Sequence, residues 1–263
     1  MFSFIKSQNI QNNKKEPINV YYTKDHQISE TVDWDFLYPQ PKNLFSELIK
    51  ERKDIKDLDS FLLCPAIVPK FKKILVFRNS IKSSYEYGSD GEKFYIKPTS
   101  NEYINMFFTR KETLIDRPTF MSSLSYLFFA DSPLSLFFTP PYFHKPEHLQ
   151  YGACMPGEID IGQWFRPFNF EFQTWSASGE FHLKDNEPLF YAEFKTDRPI
   201  LFHRFNLTPE LHKYKTANGL SGKIFGPFKT MNEKYERFKQ VGYREKILTE
   251  IKKNLIDEEP YRF

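Results

Sequence analysis

The sequence predicts a mainly β fold with flanking α-helices: an antiparallel β-sandwich or jelly roll with a C-terminal amphipathic helix. Three observations carry this expectation. Between residues 61 and 207, apolar and polar residues alternate with a period near two, in short aromatic or β-branched runs. Alternation of that kind marks strands with one buried face. Pro, Gly, Asn and Asp punctuate the runs, and no helical segment alternates with them, which disfavours a doubly wound parallel sheet. Finally, 29 Phe, 15 Tyr and 3 Trp among 263 residues, at a net charge of only +3, are the composition of a packed core and not of a disordered chain.

Taken in order, residues 1–16 are polar and rich in Asn, Gln and Lys and read as a flexible N-terminal arm. Residues 17–217 are expected to form a single β-rich domain, opening with a strand at 18–22 and containing one helix near 42–56. There Leu44, Phe45, Leu48 and Ile49 recur at helical spacing behind Pro41, which is the pattern of an amphipathic helix. Runs at 74–77, 94–96 and 103–108 are expected strands. The Gly88-Ser89-Asp90-Gly91 sequence predicts a hairpin between 85–87 and 94–96, because Gly and Asp tolerate the positive φ such a loop needs. Residues 218–263 are expected to be a linker and a C-terminal helical segment. Tyr235, Phe238, Val241, Ile247, Leu248, Ile251 and Leu255 fall mostly on one face of it. The predicted helix breaks near Gly242 and packs across the sheet or against another subunit.

Residues 169–207 allow the faces of four strands to be assigned: 170–175, 180–184, 189–195 and 200–207. Joined as ordinary hairpins, the first three put Phe170, Phe172, Phe181, Leu183, Phe190, Ala192 and Phe194 on a core face. The opposite face then carries Glu171, Gln173, Glu180, His182, Tyr191 and Glu193. The fourth strand is ambiguous. Direct pairing of Lys195 with Ile200 sends His203 inward, whereas a one-residue bulge near Pro199 turns Ile200 and Phe202 inward and His203 outward. In the bulged case His182, His203, Glu193 and Glu180 share one surface, and imidazole with carboxylate suits zinc or non-haem iron. The ordinary reading of the same residues is a solvated outer face.

Other motifs carry less chemistry. His144 and His148 have the i, i+4 spacing of a helical metal pair, but Pro146 between them makes a regular helix improbable. The segment holding Tyr142, Phe143 and His144 reads as an extended aromatic loop, structural or for recognition. Gly219-Leu220-Ser221-Gly222-Lys223 lacks the Walker spacing. Trp164, Phe165 and Arg166 interleave aromatic with basic character and could stack single-stranded nucleic acid. Core packing is the ordinary reading of that stretch.

No uninterrupted apolar run exceeds residues 126–130, far short of a bilayer span, and the first residues lack the continuous apolar segment of a secretory signal. Cys64 and Cys154 cannot make a disulfide framework or a four-thiolate zinc site. The 37 Lys and Arg are interleaved with 34 Asp and Glu along the chain, so a nucleic-acid surface is not expected.

With Cys64-Pro65-Ala66, the loop at 139–144 and the run PGEIDIGQWFRPFNFEF at 156–172, the chain resembles uncharacterised proteins of large tailed bacteriophages, of the marine myovirus type, over residues 30–207. These motifs have no assigned chemistry, so the resemblance implies a setting, the cytoplasm of an infected bacterium or a virion, and an aromatic β-domain. The expected function is non-catalytic, by protein binding or assembly, and the alternatives are a metal-dependent jelly-roll enzyme and a single-strand binder. The expected partner is a host or phage protein, or a second copy engaged through the C-terminal helix. No cofactor is named, and neither nucleic acid nor a membrane is expected.

Overall fold

The computed structural model describes residues 15–26, 39–51, 61–91, 93–99, 107–109, 116–218, 230–256 and 259–262. The expected arm, apart from its last two residues, and parts of the 42–56 and 103–108 segments lie outside them. The strands are β1 (Ile18–His26), β2 (Lys42–Asn43), β3 (Ile74–Arg78), β4 (Ser83–Ser89), β5 (Phe94–Pro98), β6 (Phe107–Thr109), β7 (Thr119–Ala130), β8 (Ser135–Thr139), β9 (Gly152–Cys154), β10 (Gly157–Asp160), β11 (Pro167–Thr174), β12 (Gly179–Leu183), β13 (Pro188–Phe194), β14 (Ile200–Arg204) and β15 (Tyr261–Arg262). The helices are α1 (Leu44–Glu51), α2 (Val68–Phe71), α3 (Pro209–Asn218), α4 (Met231–Val241) and α5 (Tyr243–Lys253).

Three sheets form. The first runs β15-β14-β1-β7-β11-β9 with β6 added on β7, the second β10-β8-β13-β3-β2, and the third β12-β4-β5. They enclose one aromatic core in a sandwich-like, mainly β arrangement. Val20, Phe128 and Phe202 of the first sheet meet Phe77, Phe138, Phe190 and Phe194 of the second and Tyr85, Tyr87 and Phe181 of the third. The outer faces of the two large sheets are covered as well. Leu211 of α3, Phe238 of α4 and Ile247, Leu248 and Ile251 of α5 pack on Tyr21, Leu127 and Phe129 of the first sheet. Leu44 and Leu48 of α1 and Phe71 of α2 pack on Ile74, Val76 and Tyr191 of the second. Strand β3 is therefore buried on both faces along Ile74, Leu75, Val76 and Phe77, and its sequence is a continuous apolar run for that reason.

Several local expectations hold. The hairpin pairs β4 with β5 out to Ser89 and Phe94, and Gly91 in its loop takes φ 96°, a conformation in which a side chain would be strained. The C-terminal helix breaks at Gly242, which adopts φ 68° between α4 and α5. A capping box opens α4, with the Thr230 hydroxyl accepting from the Glu233 amide and the Glu233 carboxylate accepting from the Thr230 amide, a device that satisfies two otherwise orphaned donors. Helix α3 is new relative to the sequence expectation, because PELHKYKTAN has little apolar periodicity and docks mainly through Leu211 and Ala217.

The meander is the main correction. The four strands exist, but no two of them pair with each other. Strand β11 pairs with β7 and β9, β12 with β4, β13 with β3 and β8, and β14 with β1, in parallel. The core face Phe170, Phe172, Phe181, Leu183, Phe190, Ala192 and Phe194 is nonetheless buried as expected, since alternation within a strand does not depend on its partner. Tyr191, expected on the polar face, is fully buried beneath α1. Ile200 and Phe202 point inward and His203 outward, as in the bulged alternative, but the cause is the parallel pairing with β1 and not a bulge.

Candidate functional site

The residues proposed for a metal do not assemble. His182 and Glu180 lie on the outer side of β12, with Nε2 4.0 Å from Oε2 and Nδ1 held by the Ser84 hydroxyl at 2.9 Å. Glu193 on β13 sits between Lys195 at 2.9 Å and Lys70 at 3.8 Å. His203 on β14 stacks on Tyr21, and its Nε2 lies 2.8 Å from Asn19 Oδ1. Because the hairpins that would have aligned them do not form, the four occupy three sheets. No group of three or more His, Cys, Asp or Glu suited to a metal ion occurs among the described residues.

The aromatic loop is pinned rather than extended into solvent. Phe143 wedges between Phe61 and Phe71, at 5.1 and 5.2 Å between ring centroids. His144 turns inward, with Nδ1 2.6 Å from the Tyr191 hydroxyl and Nε2 3.5 Å from Glu47 Oε2. Glu47 in turn receives Arg78 Nε at 3.3 Å and Nη2 at 2.8 Å, and the side chains of Glu47 and Arg78 are only 11% and 13% exposed. Tyr142 alone of the three loop residues is largely exposed, at 46%. The i, i+4 histidines part company. His148, in a single 3-10 turn and fully buried, lies 3.6 Å from Glu187 and not beside His144's carboxylate.

These two buried pairs predict an acid-labile fold. Burial by itself raises the Glu47 carboxyl, but the pairing with His144 and Arg78 outweighs it and holds the group below its ordinary 4.5. Glu187 is likewise raised by burial and lowered further by His148 and by the Lys184 amide. A carboxylate whose folded pKa is depressed binds fewer protons folded than unfolded. Its stabilisation is complete above the unfolded value and is lost as pH falls through the folded one. Urea midpoints should therefore fall from pH 5 to pH 3, and Glu47→Gln should flatten that fall. An acid loss of unchanged size in the variant would contradict the assignment.

Trp164 and Arg166 fall in a different place from Phe165. Asp160 closes the turn after β10, its Oδ1 accepting from the Gly162 amide at 2.9 Å and its carbonyl from the Trp164 amide at 3.0 Å. Gly162 is required there, since a Cβ would lie 2.3 Å from the Ser132 carbonyl oxygen. The turn delivers Phe165 to the core beneath the C-terminal helices, edge-on to Phe129, so Phe165 is an anchor and not a binding residue. Trp164 stacks on Tyr235 of α4 with centroids 4.5 Å apart and planes 16° from parallel. One face of the indole is thus already covered, and these three residues form no exposed stacking platform.

Trp164 and Arg166 instead line a cleft of about 580 Å³, together with Glu158, Asp160, Glu171 and Tyr235, a size within the usual range for ligand sites. Its flanks are backbone edges. Strand β10 pairs with β8 on one side and with no strand among the described residues on the other. Strand β9 covers only Phe172, Gln173 and Thr174 of β11, so residues 167–170 face β7 on one side and no strand among the described residues on the other. A bulge between Asn169 and Glu171 bends β11 at this point. Trp164 and Arg166 stand out in the sequence by their aromatic and basic character. Glu158, Asp160 and Tyr235 carry no such local signal and join them only when β10 and α4 fold against the same turn.

No protein-family model, no curated protein and no solved structure matches the chain.

Proposed function

We propose that the protein works without chemistry of its own, by binding a partner protein in the bacteriophage setting that its sequence resembles. The binding mode we infer is strand addition, in which an extended segment of the partner enters the cleft and pairs with an open backbone edge. The observation that carries this reading is the cleft itself, with the one-sided β10 and the uncovered residues 167–170 of β11 on its flanks. Unpaired N–H and C=O groups of an edge strand are a template for another chain, and main-chain hydrogen bonds then supply affinity while side-chain pockets supply specificity. The C-terminal helices support a role for the cleft over helix-mediated self-association, because the apolar face of α5 is turned onto the first sheet.

A randomised octapeptide library selected against the full chain tests the mode. Bound peptides should protect the amides of Glu158 and Asp160, which point away from β8, from hydrogen exchange and lose at least tenfold in affinity for Trp164→Ala. Protection confined to other strands, or equal affinity for the variant, would refute strand addition at this edge.

A further inference from the structure

The walls of the cleft also specify its occupant. Among the lining residues there is one cation, Arg166, against three carboxylates, Glu158, Asp160 and Glu171. The carboxylates stand on both flanks. Glu158 and Asp160 are two residues apart on β10 and so share a face of that strand, and Glu171 stands on β11 across the gap. Glu158 is exposed and has no ion-pair partner among the described residues. The negative field is felt by neighbouring groups. Burial and then the charge of Asp160 push the Tyr235 phenol up, and burial and then Glu171 do the same to the Cys154 thiol. Lys239, whose ammonium covers the Tyr235 ring at 4.6 Å, is held charged chiefly by Glu236, with a contribution from Asp160.

We propose, on the strand-addition reading, that the cleft takes an extended protein segment with Lys or Arg at alternate positions. In a strand added beside β10, every second side chain points to the same face. Basic residues spaced by two therefore fall opposite Glu158 and Asp160 together, as cross-strand pairs of opposite charge. An acidic segment would set like charges against both flanks, and a neutral one would leave Glu158 without a countercharge among the described residues. A second copy of this chain is a poorer fit, because its own open edge at β10 carries the same carboxylates.

Three capped octapeptides of alternating Lys-Thr, Gln-Thr and Glu-Thr, titrated calorimetrically into the full chain and followed by amide exchange, test this. The Lys-Thr peptide should bind at least tenfold more tightly than Gln-Thr, the Glu-Thr peptide should not bind detectably, and the preference should shrink between 50 and 300 mM salt. The double variant Glu158→Gln, Glu171→Gln should bring the Lys-Thr affinity down to that of Gln-Thr, at unchanged melting temperature. Equal affinity for all three peptides, with protection of β10, would overturn the basic preference and leave strand addition standing. A Lys-Thr preference that survives in the double variant would overturn it too, by placing the selecting charge elsewhere. Binding without any protection of β10 would overturn the strand-addition reading itself.

Discussion

Replacing Phe181 by alanine is expected to lower stability by about 3–5 kcal/mol, the range for emptying a large aromatic site in a core. The reason is its position between sheets. Phe181 belongs to β12 of the small third sheet and is 1% exposed. Its ring stacks on Tyr85 of the same sheet at 5.1 Å and on Phe172 and Phe120 of the first sheet at 5.4 and 6.0 Å, with Phe107 edge-on at 5.8 Å. A three-stranded sheet buries little by itself, so the truncation removes much of what docks it. Thermal unfolding should shift down by roughly 10 °C, at about 2–4 °C per kcal/mol for a chain of this size. Phe181→Leu should restore part of the loss. A shift of less than about 2 °C in the alanine variant would show that the third sheet is held by something else.

Removing the Glu47 carboxylate is the second large effect. Glu47→Ala leaves the Arg78 guanidinium nearly buried, with only the Asn186 carbonyl at 2.7 Å as acceptor among the described residues, and leaves His144 without its carboxylate. Breaking one side of a buried pair costs about 3 kcal/mol or more, because the remaining charge is uncompensated. The companion variant distinguishes a lost pair from lost packing. With Arg78→Met added to Glu47→Ala, the uncompensated charge is gone, and much of the stability should return. Chemical denaturation of the wild type, the single and the double variant reads this directly, and a double variant no more stable than the single would assign the loss to α1 packing instead.

The parts of the fold that were legible in the sequence are those set by residues near one another along the chain. The Gly-Ser-Asp-Gly loop brings β4 and β5 together because its positive φ is local chemistry. Gly242 interrupts the C-terminal helix for the same kind of reason. The inward set of Phe170, Phe172, Phe181, Leu183, Phe190, Ala192 and Phe194 could be read strand by strand, because side chains alternate across a strand whichever neighbour it takes. Tyr191 shows the limit of that reading. It sits out of phase with Phe190 and Ala192 and was assigned to a polar face, yet α1, about 140 residues earlier, covers that face.

The candidate site was legible to a smaller extent. Trp164 and Arg166 stood out by residue type, but Phe165 between them points into the core, and His182, Glu193 and His203 end on separate sheets. What the sequence alone determined is therefore the aromatic core, the approximate strands and which side of most of them is apolar. Only the tertiary structure decided which strands pair, that β10 and part of β11 keep edges open among the described residues, and that Glu158, Asp160 and Tyr235 gather around Trp164. The physical reason is that the hydrogen-bonding edges of all strands present the same N–H and C=O groups. Alternation specifies faces, whereas pairing and open edges are settled by how three sheets and their helices share one core.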